Sequence, residues 1–416
     1  MKREEVVDYL KEYESLRLNI FQRELEVPLN SDFIISIVGP RRAGKTYFLL
    51  SLYQKVEDGI YLNFEDTRLI NISFRDIREI IRIFIELYGK TPKYLFLDEI
   101  QNIPKWEIAI RELHDLKKYR IFITGSSSKL LSKEIATQLR GRTLSFILLP
   151  FSFREFLGFQ GFKVDKYLAK DEEAKIKNLL RQYLEFGGFP DVIKNEEKIR
   201  ILKEYSDLIL FRDFIERHKI RNLDLARFLH AFIIQNFSKE ISIRGIFNKI
   251  SNIKVSKDTV YEYVSKLEDT MFFFFLRKFS NKVHVRELWP KKVYLCDTGI
   301  PKVFRFTPDY GRLMENLVFI ELLRRKNINP LLEVYYLKVN DKEVDFLTKE
   351  GLKIKQLIQV TYASNKDEID QREIKALEKA YELFKKDRPE ILIFTWDYED
   401  VLKKDNLEIK CIPLWK

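Results

Sequence analysis

The sequence predicts an α/β protein built first on a parallel five-stranded sheet, and three observations carry that expectation. Over residues 31–150 five short apolar runs alternate with helical intervals: FIISIVG, IYLNFED, YLFLDEI, RIFITGSS and TLSFILLP. Runs that are apolar on both faces belong in a sheet covered by helices on both sides. The first run leads directly into GPRRAGKT, and the third ends in the acids Asp98 and Glu99.

GPRRAGKT fits G-x-x-x-x-G-K-[ST] and stands between a strand-like run and the apolar YFLL that opens a helix. A strand followed by such a loop places backbone N–H groups around phosphates. The loop residues are Gly39, Pro40, Arg41, Arg42, Ala43 and Gly44, and the next helix turns its positive end toward the same point. Lys45 is placed to reach the β- and γ-phosphates, and the Thr46 hydroxyl to hold Mg²⁺. In KYLFLDEIQ the apolar residues Tyr94 to Leu97 lead into Asp98 and Glu99, as a buried strand ending in carboxylates would. Asp98 can bind the Mg²⁺ water shell and Glu99 can polarise an attacking water. Alone, the two acids would read as a helix cap; beside the phosphate loop they read as catalytic.

The fourth strand closes in ITGSSSKLL, where Ser126 either reaches the γ-phosphate or attacking water, or caps the next helix. Arg140 and Arg142 in QLRGRTLSF precede the fifth strand, where an arginine serving a neighbouring subunit's site stands if the protein forms rings; a surface arginine is the alternative. Residues 151–221 turn helical, with apolar positions at i, i+3 and i+4, so a helical lid follows the core of residues 1–150. GGFPDVI interrupts it: Gly-Gly ends one helix, and Pro190 either starts the next or packs on a nucleotide base.

Residues 222–290 read as a winged helix, with three amphipathic helices and a strand pair in MFFFFLRKF. Its third helix would present Lys254, Lys257, Thr259 and Tyr261 to a DNA major groove. The segment holds 11 Lys and Arg against 7 Asp and Glu, which permits phosphate contacts and equally permits a protein partner. Residues 291–416 show helix, strand ending at an acid, second strand and second helix, the order of a metal-dependent nuclease core. There a helical Glu315, Asp345 and a next-strand carboxylate would share Mg²⁺, and a lysine two residues on would activate water. Gln359 and Thr361 stand at those last two positions; Gln359 can still offer a neutral oxygen to the metal beside Glu315 and Asp345, but Thr361 cannot supply the ammonium, so a retained fold without cleavage is the expectation.

Composition narrows the partners. The 416 residues carry a formal charge of +11, which allows an anionic partner such as nucleic acid. No apolar stretch approaches the roughly 20 residues of a membrane span, and the charged N-terminal segment lacks an apolar export signal. With only Cys296 and Cys411, and four histidines without ligand spacing, neither a disulfide framework nor a zinc site is expected. A cytoplasmic location fits this pattern.

With GPRRAGKT, LDEIQ, ITGSSS, LRGR and GGFP in order, the first half resembles the AAA+-like P-loop ATPases of archaea and bacteria. The second half, with YLCDTG, MENLVFIELLRR, EVDF and QVTY, is similar to the domain of unknown function often fused to them. The resemblance implies an AAA+-type ATPase with helical lid, winged-helix segment and a C-terminal domain like PD-(D/E)XK nucleases. It implies ATP and Mg²⁺ as cofactors, Asp98 and Glu99 as the Walker B acids, Ser126 as the sensor and Pro190 as an adenine contact.

Overall fold

The computed structural model describes residues 2–125, 139, 141–162, 169–250, 254–280, 282, 290–305, 307–404 and 407–416. The chain divides into two compact units, Met1–Phe151 and Ser152–Lys416.

In the first unit helix α1 (Arg3–Ser15) precedes β1 (Ile34–Val38), α2 (Lys45–Tyr53), β2 (Gly59–Asn63), α3 (Asp76–Tyr88) and β3 (Tyr94–Asp98). Then follow α4 (Trp106–Asp115), β4 (Arg120–Gly125) and β5 (Thr143–Ile147). The five strands form one sheet in the order β2-β3-β4-β1-β5, and every pair is parallel. The order places β1, with both faces buried, between β4 and β5. Its carboxyl end releases the glycine-rich loop into α2. One core lies between α2 and the sheet, made by Ile35, Ile37, Phe48, Leu49, Leu52, Tyr61, Phe96 and Phe122. Apolar residues of the segment after α1, among them Leu16, Ile20, Leu25 and Val27, pack against it.

The second unit opens with helices α5 (Phe153–Phe159), α6 (Lys170–Phe186), α7 (Pro190–Lys194) and α8 (Lys198–Leu208), the last running on into a π-helical turn at Ile209–Glu216. Ser152 and Glu155 close a capping box at the start of α5. Next come α9 (Leu223–Gln235), β6 (Lys239–Ile241), α10 (Ile243–Lys249), α11 (Lys257–Glu268), β7 (Phe273–Leu276) and β8 (Lys291–Leu295). These strands make an antiparallel sheet in the order β6-β8-β7. The expected strand pair within MFFFFLRKF is therefore replaced by one strand, whose partner β8 comes from beyond residue 290. That run has no turn residue at its centre on which to fold back.

Helix α12 (Tyr310–Ile328) leads into β9 (Leu332–Val339), β10 (Lys342–Glu350), β11 (Lys353–Val360), α13 (Gln371–Phe384), β12 (Glu390–Thr395), β13 (Asp400–Lys404) and β14 (Leu407–Pro413). They form a separate six-stranded sheet, β13-β14-β12-β11-β10-β9. β11 to β12 is a parallel step that α13 crosses, burying Ile374, Leu377 and Ala380 against the sheet.

Candidate functional site

The loop after β1 is held by backbone geometry only glycine allows at two points. A Cβ at Gly39 would lie 2.0 Å from the Leu148 carbonyl oxygen, and Gly44 caps α2 in the left-handed region at φ 94°. Arg23 clamps the loop from behind. Its guanidinium donates to the Ala43 carbonyl at 3.0 Å and the Leu149 carbonyl at 2.7 Å, and lies over the Phe151 ring. Lys45 is buried at the start of α2; its Nζ donates to the carbonyls of Gly39 at 3.2 Å and Pro40 at 3.1 Å and stands 3.8 Å from Glu99 Oε1. Arg41 reaches toward Glu65 at 3.8 Å. Arg42 takes a left-handed conformation at φ 68°, which turns the chain within the loop.

Asp98 ends β3 with its side chain fully buried between two neighbouring strands. Tyr61 of β2 donates to Oδ2 at 2.7 Å, and Thr124 of β4 donates to Oδ1. Burial raises the Asp98 pKa, while hydrogen bonds from Thr124, Tyr61 and Thr46 oppose the rise. The Glu99 N–H donates to Thr124 Oγ1 at 2.9 Å, and Glu99 takes a left-handed conformation at φ 51°. Its carboxylate accepts from the Gln101 amide. Thus Thr124 fixes both acids at once. Neither Tyr61 nor Arg23 belongs to a motif, and within ITGSSS the candidate is Ser126 and not Thr124; the parallel register Leu97↔Ile123 is what aligns the residue after each, Asp98 and Thr124.

The donors suit a nucleotide with Mg²⁺. A loop with no room for a Cβ at Gly39, a lysine at its end, and a hydroxyl in hydrogen-bond contact with a buried carboxylate are a phosphate cradle beside hard oxygen ligands.

The remaining sequence candidates fall elsewhere. Ser126 and Arg140 lie outside the described residues. Arg142 precedes β5, whose parallel register with β1 (Ile34↔Thr143) puts it at the amino edge of the sheet, opposite the loop, with its guanidinium 3.0 Å from Asp115. Pro190 opens α7 as its first residue. On α11, Ser256 caps the helix through the Thr259 N–H, and its hydroxyl meets that of Thr259. Lys254, Lys257 and Tyr261 are exposed, Tyr261 at 64%, but Asp258 and Glu262 are exposed on the same helix.

Glu315 and Asp345 do converge, yet on a lysine. Lys292 of β8 is buried, with Nζ 2.6 Å from Glu315 Oε1, 2.7 Å from Glu343 Oε1 and 3.2 Å from Asp345 Oδ1. Gln359 Oε1 accepts the Asp345 N–H at 3.4 Å. The ammonium of Lys292 thus stands where a cation shared by Glu315 and Asp345 would lie, and Gln359 turns its amide oxygen to a backbone N–H.

Fold and site together define an AAA-type P-loop ATPase fold carrying additional C-terminal domains; residues 31–157 match the AAA domain family, residues 177–305 the domain of unknown function DUF8612 and residues 310–416 the domain of unknown function DUF4143. The chain belongs to the family of the uncharacterized protein MJ1544 of Methanocaldococcus jannaschii, to which it is 40% identical over 96% of its own length and 91% of that protein's. An uncharacterized protein of Haemophilus influenzae is 26% identical over 93% of this chain and 94% of its own. Among solved structures, the Walker-type ATPase of Pyrococcus abyssi overlaps 73% of this chain and 96% of its own at TM-score 0.40 and 14% identity. The Orc1 protein of Aeropyrum pernix in complex with DNA overlaps 78% and 94% at TM-score 0.28 and 14% identity. Among the described residues no helix is long and apolar enough to cross a membrane.

Proposed function

We propose that this chain is a Mg²⁺-dependent ATPase whose nucleotide state governs how its second unit grips a partner. The observation that carries the reading is the convergence of Lys45, Thr46, Asp98 and Glu99 at one sheet edge. In that role the loop amides and Lys45 bind the phosphates, Thr46 and Asp98 hold Mg²⁺ directly or through water, and Glu99 orients and deprotonates the attacking water. Bound Mg²⁺ would supply charge neutralisation at the phosphates. Lys45→Ala is expected to weaken ATP binding, and Glu99→Gln to abolish turnover while sparing binding; steady-state hydrolysis and ATP titration separate the two. Turnover unchanged in both variants removes the assignment.

A nucleotide-gated binding protein with negligible hydrolysis is the second reading. The Gln101 amide on Glu99 Oε2 favours it, since it engages one of the two oxygens and leaves Oε1, 3.8 Å from the Lys45 ammonium, to accept a proton from water. Tight ATP binding with no turnover would select it.

For the partner, the order α9-β6-α10-α11-β7-β8 with the sheet β6-β8-β7 supports a winged helix that binds duplex DNA. Lys254, Lys257 and Tyr261 are its exposed contact residues, and the acids Asp258 and Glu262 on α11 make the expected affinity modest. Lys257→Glu should weaken duplex binding about tenfold at low salt and flatten the salt dependence. No binding at low salt would make this surface a protein contact. Serving a neighbour's site in a ring would require Arg142 to leave Asp115.

A further inference from the structure

Three carboxylates around one point, those of Glu315 and Asp345 buried and that of Glu343 half-buried, normally demand a counter-ion, and in this chain the counter-ion is covalently attached. An ammonium has three N–H donors. Lys292 directs them to Glu315, Glu343 and Asp345, at 2.6, 2.7 and 3.2 Å, with its own side chain 2% exposed. Two of the acids accept further donors: the Val360 N–H donates to Asp345 Oδ2 at 3.0 Å, and the Tyr294 hydroxyl donates at 2.6 Å to Glu315 Oε1, the oxygen that also faces Lys292. The lysine arrives from β8, a strand of the three-stranded sheet, whereas Glu315 is on α12 and Glu343 and Asp345 are on β10.

We propose that Lys292 is a built-in cation that fills the centre of the Glu315–Glu343–Asp345 cluster, excludes divalent metal from it, and ties the three-stranded sheet to the six-stranded one. The acid cluster is thereby a clasp rather than a metal centre. Three features support this. The nitrogen meets three acceptors with three donors, so the ammonium already occupies the point on which the three acids converge. Displacing it would strand an ammonium among buried side chains, and burying an uncompensated charge is strongly unfavourable. A second tie spans the same two sheets, since Lys338 of β9 reaches Glu240 of β6 at 2.7 Å and the Tyr336 hydroxyl donates to the Pro290 carbonyl. The lysine expected two residues after Gln359 and absent there is supplied by a different strand, but as a plug.

The test is Mn²⁺ binding to the full chain, free of nucleotide, at pH 8, read from the loss of the free Mn²⁺ resonance signal. Wild type is expected to show no Mn²⁺ that Asp345→Asn removes. Lys292→Met should gain one bound Mn²⁺, at least about tenfold tighter than any wild-type binding, and lose it again when Asp345→Asn is added. Mn²⁺ held by wild type and abolished by Asp345→Asn overturns the proposal, as does a folded Lys292→Met that gains none. If Lys292→Met does not fold, Lys292→Gln repeats the arm, and the wild-type chain gives an independent reading by reductive methylation. Lys292 should stay unmodified with or without millimolar Mn²⁺, whereas labelling that appears on Mn²⁺ addition means that metal expels the lysine.

Discussion

At the scale of single residues, the site depends on two hydroxyls that lie on strands flanking the acids. Thr124 donates to Asp98 and accepts from the Glu99 N–H, so its removal loosens both carboxylates. The Tyr61 hydroxyl donates to Asp98 Oδ2 alone of the two acids. Partners that orient a metal-holding carboxylate typically contribute 10–100-fold to metal affinity or activity. Thr124→Val should therefore lower turnover about 10–100-fold, and Tyr61→Phe should raise the Mg²⁺ concentration needed for half-maximal turnover about tenfold with little change in maximal rate. A Mg²⁺ titration of both variants checks this, and coincident curves would mean that the hydroxyls only support the fold. Lys45, Thr46, Asp98 and Glu99 were legible because each motif is contiguous and its chemistry is written in residue type. Thr124 and Tyr61 were not, because strand order and register bring them to Asp98, and neither is a property of a local window.

Among elements, the turn between α6 and α7 and the turn after β8 form one lock. Asp297 is buried, and its carboxylate accepts the N–H of Gly188 at 2.6 Å and of Gly299 at 2.9 Å. A Cβ at Gly187 would lie 1.7 Å from Asp297 Oδ1, and Gly187 has φ +76°, so two independent reasons require glycine there. The Thr298 hydroxyl donates to the Tyr183 carbonyl at 2.9 Å, near the end of α6. GGFP and CDTG were each visible as motifs, but nothing in either string says that one closes on the other 109 residues away. For the same reason KKVYL was read as opening the last domain, when its backbone pairs with β6 and β7. Local pattern announces a strand; its partner is chosen by the whole fold. Gly187→Ala is expected to cost about 2–4 kcal/mol in urea unfolding of the chain. In an Asp297→Ala background most of the steric part should vanish, leaving the backbone strain, so the two losses should fall well short of adding. Additive losses would place the Gly187 constraint elsewhere.

Across the whole molecule, the second unit buries several acids under conditions that favour their protonated forms. Burial pushes Glu315 to about 7 against the neighbouring Lys292 ammonium, burial and then the Asp345 charge push Glu373 to about 8, and burial pushes Asp297 to about 7 against the two amides that it accepts from. In the unfolded chain such groups ionise near 4. The folded state therefore holds more protons between those limits, and the contribution of these groups to stability is full below pH 4 and is lost as pH rises through 7 to 8. His230 acts in the opposite sense, since burial lowers its pKa to about 4 and its contribution is lost as pH falls from 6.5 toward that value. The exposed acids Asp370 and Asp400, held below their ordinary range by local hydrogen bonds, matter only in stronger acid. Above pH 6.5 the three buried carboxyls are unopposed by these groups, each contributing a slope of up to about 1.4 kcal/mol per pH unit. Thermal unfolding should accordingly show a lower Tm at pH 8.5 than at pH 6.5. Glu373→Gln, which keeps the shape and removes the proton exchange, should flatten the upper part of that fall. A Tm that climbs steadily over the interval would mean that these carboxyls are already ionised in the folded chain.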